Sequence, residues 1–148
     1  MAGNVTFNVK DMVTPGLRKM IDPGNRKKVL RSGAEVLARA ATLSFKDPGR
    51  RETAWAPLAE STVKSKPKNK DKTLVLSGLL KDSFRIGEVT DQRATVGTDR
   101  PYAVFHQTGT KNMPRRPIIP ADESGNLTER ARKEIGAAMD AAIRKSLK

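Results

Sequence analysis

The sequence predicts an α+β fold, a small, mostly antiparallel sheet packed against one long helix and a C-terminal helix. Three observations carry the prediction. Residues 83–97 read as two short strands joined by a polar turn. Residues 25–45 and 127–146 repeat apolar positions every three or four residues, the period of a helix that buries one face. The chain has 148 residues, enough for a single domain, 1–148, with a modest core.

In order along the chain, Val5, Phe7 and Val9 alternate with Thr6, Asn8 and Lys10, so a half-buried strand is expected near 4–10. Pro15-Gly16 and Pro23-Gly24 mark turns around a short stretch, 17–21, that can hold a helical turn. Asn25 is the expected cap of the long helix, whose small residues Gly33, Ala40 and Ala41 allow a close neighbour. Arg26, Lys27 and Lys28 crowd its first turn, where the dipole disfavours cations. Trp55 and Leu58 are expected to fold back as core anchors, with Leu76, Leu79 and Phe84. Between them, Lys64, Lys66, Lys68, Lys70 and Lys72 occupy every second position of 64–72, which reads as a flexible basic loop.

Ser77 can cap a turn that carries Leu79 and Leu80. In the hairpin, Phe84, Ile86 and Glu88 fall on one face and Arg85, Gly87 and Val89 on the other, a mixed pattern. Ala94 and Val96 share a face of the return strand. Tyr102, Ala103, Val104 and Phe105 are expected as a further strand near 101–106, and Ile118-Ile119 as one near 116–120. Between them, 107–117 reads as an extended assembly loop. The last helix is capped by Asn126 or Thr128, and Leu127, Ala131, Ile135, Met139, Ile143 and Leu147 step by four along it. Glu129 faces Lys133 there at i,i+4.

Composition narrows the function. Twenty-nine Lys and Arg against sixteen Asp and Glu give a net charge of +13, so an acidic partner is expected. The hydrophobic fraction of 36% and aromatic fraction of 4% are low, as for a chain completed by a partner. With one His and no Cys there is no His-rich or thiolate metal site and no Cys–His pair. Gly-x-Ser-x-Gly, Walker and Gly-x-Gly-x-x-Gly motifs are absent, and Asp82, Glu88, Asp91 and Asp99 match no ligand spacing. No catalysis, cofactor or metal is therefore expected, and His106 is expected to hold its turn by a local hydrogen bond. No apolar run approaches the roughly 18 residues of a membrane span, and the start carries no signal pattern, so a soluble chain made in the cytoplasm is expected. The alternative to an assembly protein is a basic, non-sequence-specific nucleic-acid-binding protein. Against it, aromatic side chains for stacking are scarce and no helix-turn-helix or RNA-recognition signature is present.

The rare residue types gather in 101–117, and this stretch completes an ordered set of motifs. The set runs Phe45; Trp55, Ala56, Pro57, Leu58 with Thr62; Leu76, Ser77, Gly78, Leu79, Leu80 with Ser83; Val96-Gly97; Tyr102 through Gly109; and Met113, Pro114, Arg115, Arg116, Pro117. Over about 25–119 the chain resembles the tail-completion, or virion morphogenesis, family of tailed bacteriophages and prophages. It departs from the family pattern at Arg115, where Ala is usual, and at Ile118-Ile119, where an aromatic-Leu pair is usual.

The resemblance implies a structural virion protein of the neck or upper tail. It implies a homo-oligomeric, sixfold ring between the tail tube or tail terminator and the head–tail connector, assembled in the host cytoplasm. Expected contacts with other subunits or partners fall on Tyr102, Phe105, His106, Gln107, Gly109, Met113, Arg115 and Arg116. Lys64, Lys66, Lys68, Lys70 and Lys72 are expected to meet an acidic partner or, without sequence specificity, DNA in the channel.

Overall fold

The computed structural model describes residues 6–10, as backbone, and 22–146. Val5, Leu147 and the turns expected over 15–21 lie outside the described residues. The order is β1 (Thr6–Lys10), α1 (Pro23–Leu43), α2 (Glu60–Ser65), β2 (Arg85–Val89), β3 (Arg93–Gly97), α3 (Ala103–Thr108) and α4 (Glu129–Ser146), with single 3₁₀ turns at Pro48–Arg50 and Lys81–Ser83. The fold is α+β, as expected. The strands form one antiparallel sheet in the order β1-β3-β2.

The long helix starts earlier than Asn25. Asp22 is its cap, accepting from the Asn25 backbone N–H at 3.1 Å and the Asn25 side chain at 2.7 Å. Pro23 is then the first helical residue, where its missing N–H costs nothing, so Pro23-Gly24 opens the helix and makes no separate turn. Arg26 reaches the hairpin turn and pairs with Asp91 at 3.0 Å.

Two layers pack on α1, the sheet on one side and α4 on the other. This demands a wide buried stripe, supplied by Val29, Leu30, Gly33, Ala34, Leu37, Ala40 and Ala41. Gly33 is the point of closest approach to α4, since a Cβ there would lie 3.0 Å from Met139 Sδ and 3.2 Å from Ile135 Cγ2. α4 runs antiparallel to α1. Ser32 Oγ, which donates to the Val29 carbonyl at 2.6 Å, lies 3.4 Å from the Ala138 carbonyl, and Arg50, past the C-terminus of α1, pairs with Glu134 at 2.9 Å. Burial pushes the Glu134 carboxyl up, but the hydrogen bonds from Arg50 and Arg130 outweigh it and hold the group below its ordinary value. Thr128 is the residue that caps α4, through the Ala131 N–H at 3.2 Å. Glu129 and Lys133 pair at 3.0 Å.

The mixed pattern in the first hairpin strand has a geometric cause. Ile86 pairs with Val96 and Val89 with Ala94, so β2 holds one more residue than β3 between those pairs. This β-bulge brings Ile86 and Val89, three apart, onto the core together, which strict alternation forbids. Gly87 sits in the bulge because a Cβ would come 2.7 Å from Thr95 Oγ1. Ser83 and Thr98 tie the ends of the hairpin through a buried hydroxyl–hydroxyl hydrogen bond.

Two expected strands are not strands. Residues 101–106 enter α3, which buries Ala103 and Gln107, four apart, and exposes Tyr102 and Phe105. A four-residue apolar run fits either period, and here burial of the i,i+4 pair selects the helix. Residues 116–120 are wholly buried, bend over 118–120, and join no sheet among the described residues. Pro117 and Pro120 have no N–H to give a ladder, and the N–H groups of Ile118 and Ile119 both donate to Gln107 Oε1, at 2.9 and 3.0 Å. Ile118 and Ile119 are fully buried, each contributing roughly 1.5–3 kcal/mol of transfer free energy.

Candidate assembly surface

Of the expected core anchors, Trp55 and Phe84 are buried and Leu58 is half-buried. Trp55 Nε1–H donates to the Pro117 carbonyl at 2.8 Å, its ring meets Phe45 edge-on, and Arg51 lies over it at 3.7 Å. Leu76 and Leu79 are not anchors, since they are 48% and 55% exposed. They sit on a turn bent at Gly78, φ +88°, where the Leu79 N–H reaches Ser77 Oγ at 3.4 Å, and only Leu80 of that turn is buried.

The large apolar side chains left exposed among the described residues are Leu76, Leu79, Tyr102 and Phe105. Three of them border one groove of about 550 Å3. Its floor and walls come from Leu58 and Thr62 beside and on α2, Leu74 to Leu80, Tyr102 and His106 on α3, and Asn112 to Pro114. Phe105 is exposed on α3 outside the lining. Apolar character alone sends Leu76 and Leu79 to the core with their neighbours Leu74 and Leu80, which do pack there. The signal that places Leu76 and Leu79 at the surface is the Ser77-Gly78 turn between them, together with their position after a polar loop.

The remaining expected contact residues divide between this surface and the interior. Gln107 faces inward, its Oε1 accepting from Ile118 and Ile119 and its Nε2 donating to the Ile119 carbonyl at 3.0 Å. Gly109 is a turn residue, φ +73°, and a Cβ there would meet the Arg115 backbone nitrogen at 3.0 Å. Arg115 Nη1 pairs with Glu52 at 2.6 Å and Nη2 donates to the Ala121 carbonyl at 2.8 Å. Arg116 is buried, with Nε and Nη2 donating at 2.8 Å to the carbonyls of Ala56 and Pro57. The arginines thus bind 107–117 back to its own chain, and Thr110 and Met113 bridge to close its tip.

The expected local hydrogen bond from His106 is not made. Its Nδ1 is buried without a partner among the described residues, and the turn is held by the Arg116 backbone N–H donating to the His106 carbonyl at 2.8 Å. Burial, and then the charge of Arg116, holds the imidazole below its ordinary pKa, so the ring is an uncharged wall of the groove at neutral pH. Its edge meets Tyr102 at 6.4 Å.

Lys66 likewise turns inward. Its ammonium donates to the carbonyls of Asn69 and Lys72 at 2.7 Å and of Val75 at 3.0 Å, so the loop closes around it. Asn69, at φ +54°, adds a bond to the Leu76 carbonyl at 2.8 Å. Lys64, Lys68, Lys70 and Lys72 stay exposed, Lys64 beside Glu60 at 2.7 Å. Among the described residues no group of three His, Cys, Asp or Glu can hold a metal ion, and no helix is long and apolar enough to cross a membrane.

A folded domain that turns its charged residues onto its own carbonyls and leaves leucines and aromatics outward has the features of an assembly subunit. Residues 5–144 match the phage virion morphogenesis family, and the chain belongs to that family. Neither a curated protein nor a solved structure matches it. Its role is therefore in building a phage particle, as a virion-associated structural protein.

Proposed function

We propose that this chain is a tail-completion, or neck, subunit that forms a homo-oligomeric ring at the head-proximal end of the tail and helps join tail to head. The sixfold form, and neighbours among the tail tube, tail terminator and head–tail connector, follow from the resemblance. The observation that carries the reading is the gathering of Leu76, Leu79 and Tyr102 at one groove, with Phe105 beside them. Single exposed leucines are ordinary on a monomer, whereas a cluster around a concavity marks a surface that another chain covers. The exposed lysines 64, 68, 70 and 72 leave a positive rim for an acidic ring face or for DNA in the channel.

The test is light scattering on the eluting protein, followed by negative-stain imaging of the protein mixed with purified tails. The reading expects rings, or decoration confined to the head-proximal tail end. A monomer that ignores tails and binds DNA with a steep salt dependence overturns it in favour of a nucleic-acid-binding protein.

A further inference from the structure

The groove is apolar, yet the charges in its lining are of one sign. Lys66 and Arg116 line it, and no Asp or Glu does. Neither cation is paired with a carboxylate among the described residues, and both are held by backbone carbonyls alone. Arg116 is 7% exposed, and with Nε and Nη2 bonded to Ala56 and Pro57 its Nη1 has no hydrogen bond among the described residues. A buried guanidinium with one free nitrogen, at an apolar groove, is complementary to a carboxylate carried among apolar side chains.

We infer that the groove docks an apolar segment bearing an Asp, a Glu or a C-terminal carboxylate, supplied by a different protein of the virion. The segment's apolar side chains lie against Leu76, Leu79 and Tyr102, and its carboxylate accepts from Arg116 Nη1. Charge argues against a second copy as the occupant. Seating a copy in this groove would set a chain of net charge +13 against a lining whose charges are cationic. Its acids are also largely spoken for, with Glu52, Glu60, Glu88, Asp91, Glu134 and Asp140 each paired to a Lys or Arg of the same chain. DNA offers the negative charge but nothing to cover leucines. Phe105, exposed outside the lining, stays available for a neighbouring copy in a ring.

The inference rests on the virion-assembly reading and names the partner of that same surface. The test places a photo-crosslinking amino acid at Leu79 in the full-length chain, incorporates it into particles, irradiates them, and maps the linked peptide by mass spectrometry. The expected product joins Leu79 to an acid-containing apolar segment of another virion protein. A synthetic peptide of that segment then binds the isolated chain, and changing its acid to the amide weakens binding by about tenfold or more. Leu79→Glu, at a position 55% exposed and so harmless to folding, weakens the same peptide at least as much by supplying a competing carboxylate.

A link to a second copy, or to DNA, overturns the inference while leaving the chain in the particle. So does the absence of any link from incorporated protein, or a peptide indifferent to loss of its acid. Absence of the chain from particles overturns the assembly reading and this inference with it.

Discussion

Gln107→Leu should be among the most damaging single changes in the chain, although it replaces a polar residue in the interior by an apolar one of similar size. The Gln107 carboxamide holds three backbone groups, and two of them, the Ile118 and Ile119 N–H, have no other partner among the described residues, whereas the Ile119 carbonyl also accepts from the Ala121 N–H at 2.7 Å. Its Oε1 takes the Ile118 and Ile119 N–H groups at 2.9 and 3.0 Å, and its Nε2 gives to the Ile119 carbonyl at 3.0 Å. These groups lie in a buried segment that joins no sheet, and Gln107 itself is 6% exposed, so water does not replace the lost partners. Leaving each of the two N–H groups unpaired costs about 1–3 kcal/mol, and the leucine's own burial offsets about 1–2 kcal/mol. A net loss of about 2–3 kcal/mol is expected, a sizeable share of a typical domain's roughly 5–15 kcal/mol. Urea and thermal unfolding followed by circular dichroism should show it, with Tm lowered by roughly 10 °C. Gln107→Glu sharpens the test. Its carboxyl can imitate the amide only when protonated, donating to Ile119, so the folded-state pKa is raised above the unfolded value. Its stability should be best below about pH 4 and fall as pH rises through the folded value. A loss under about 1 kcal/mol for Gln107→Leu refutes the assigned role.

Gly109→Ala places a side chain at φ +73°, ψ 170°, a region open essentially to glycine, and 3.0 Å from the Arg115 nitrogen. About 2–4 kcal/mol should be lost in denaturant unfolding. Gly33→Val forces α1 away from Met139 and Ile135 and should cost about 1–3 kcal/mol, whereas Gly136→Ala on α4, with open space around it, should be neutral or stabilising in the same assay. His106 titrates below its ordinary value when folded, so its contribution is complete above about pH 6.5 and is lost as pH falls through the lowered folded pKa. The His106→Gln variant should lack that part of the stability–pH profile below about pH 6.5.

The helices and hairpin were legible because each rests on a local period that tertiary contacts reinforce. α4 kept its step of four, and the hairpin kept its turn. What the sequence concealed has three physical sources. The strand expected at 101–106 is α3, because Tyr102 to Phe105 is too short to show a period, and the decisive residues, Gln107 and the Gly109 stop, lie just beyond it. The bulge at Gly87 disguised β2 by bringing residues three apart to one face. Leu76 and Leu79 read as core because hydrophobicity reports what a side chain prefers, and not whether its own chain covers it. The same limit hid the candidate site. Within 101–117, Gln107, Gly109, Arg115 and Arg116 mostly brace the wall, while the apolar face itself is shared with the leucine turn at 74–80. No sequence period announces that Lys66 folds inward onto three carbonyls 3, 6 and 9 residues away.

The central claim is that the leucine turn and α3 form a surface made to be covered during assembly. Leu76→Glu with Leu79→Glu tests it most directly, since both side chains are about half exposed and the fold does not depend on them. Purified tails are mixed with wild-type or doubly substituted protein, and occupied head-proximal ends are counted by negative stain, with Tm measured in parallel. The account predicts that the wild type occupies tail ends and the variant does not, with Tm unchanged. Equal occupancy by a variant of normal Tm would contradict it.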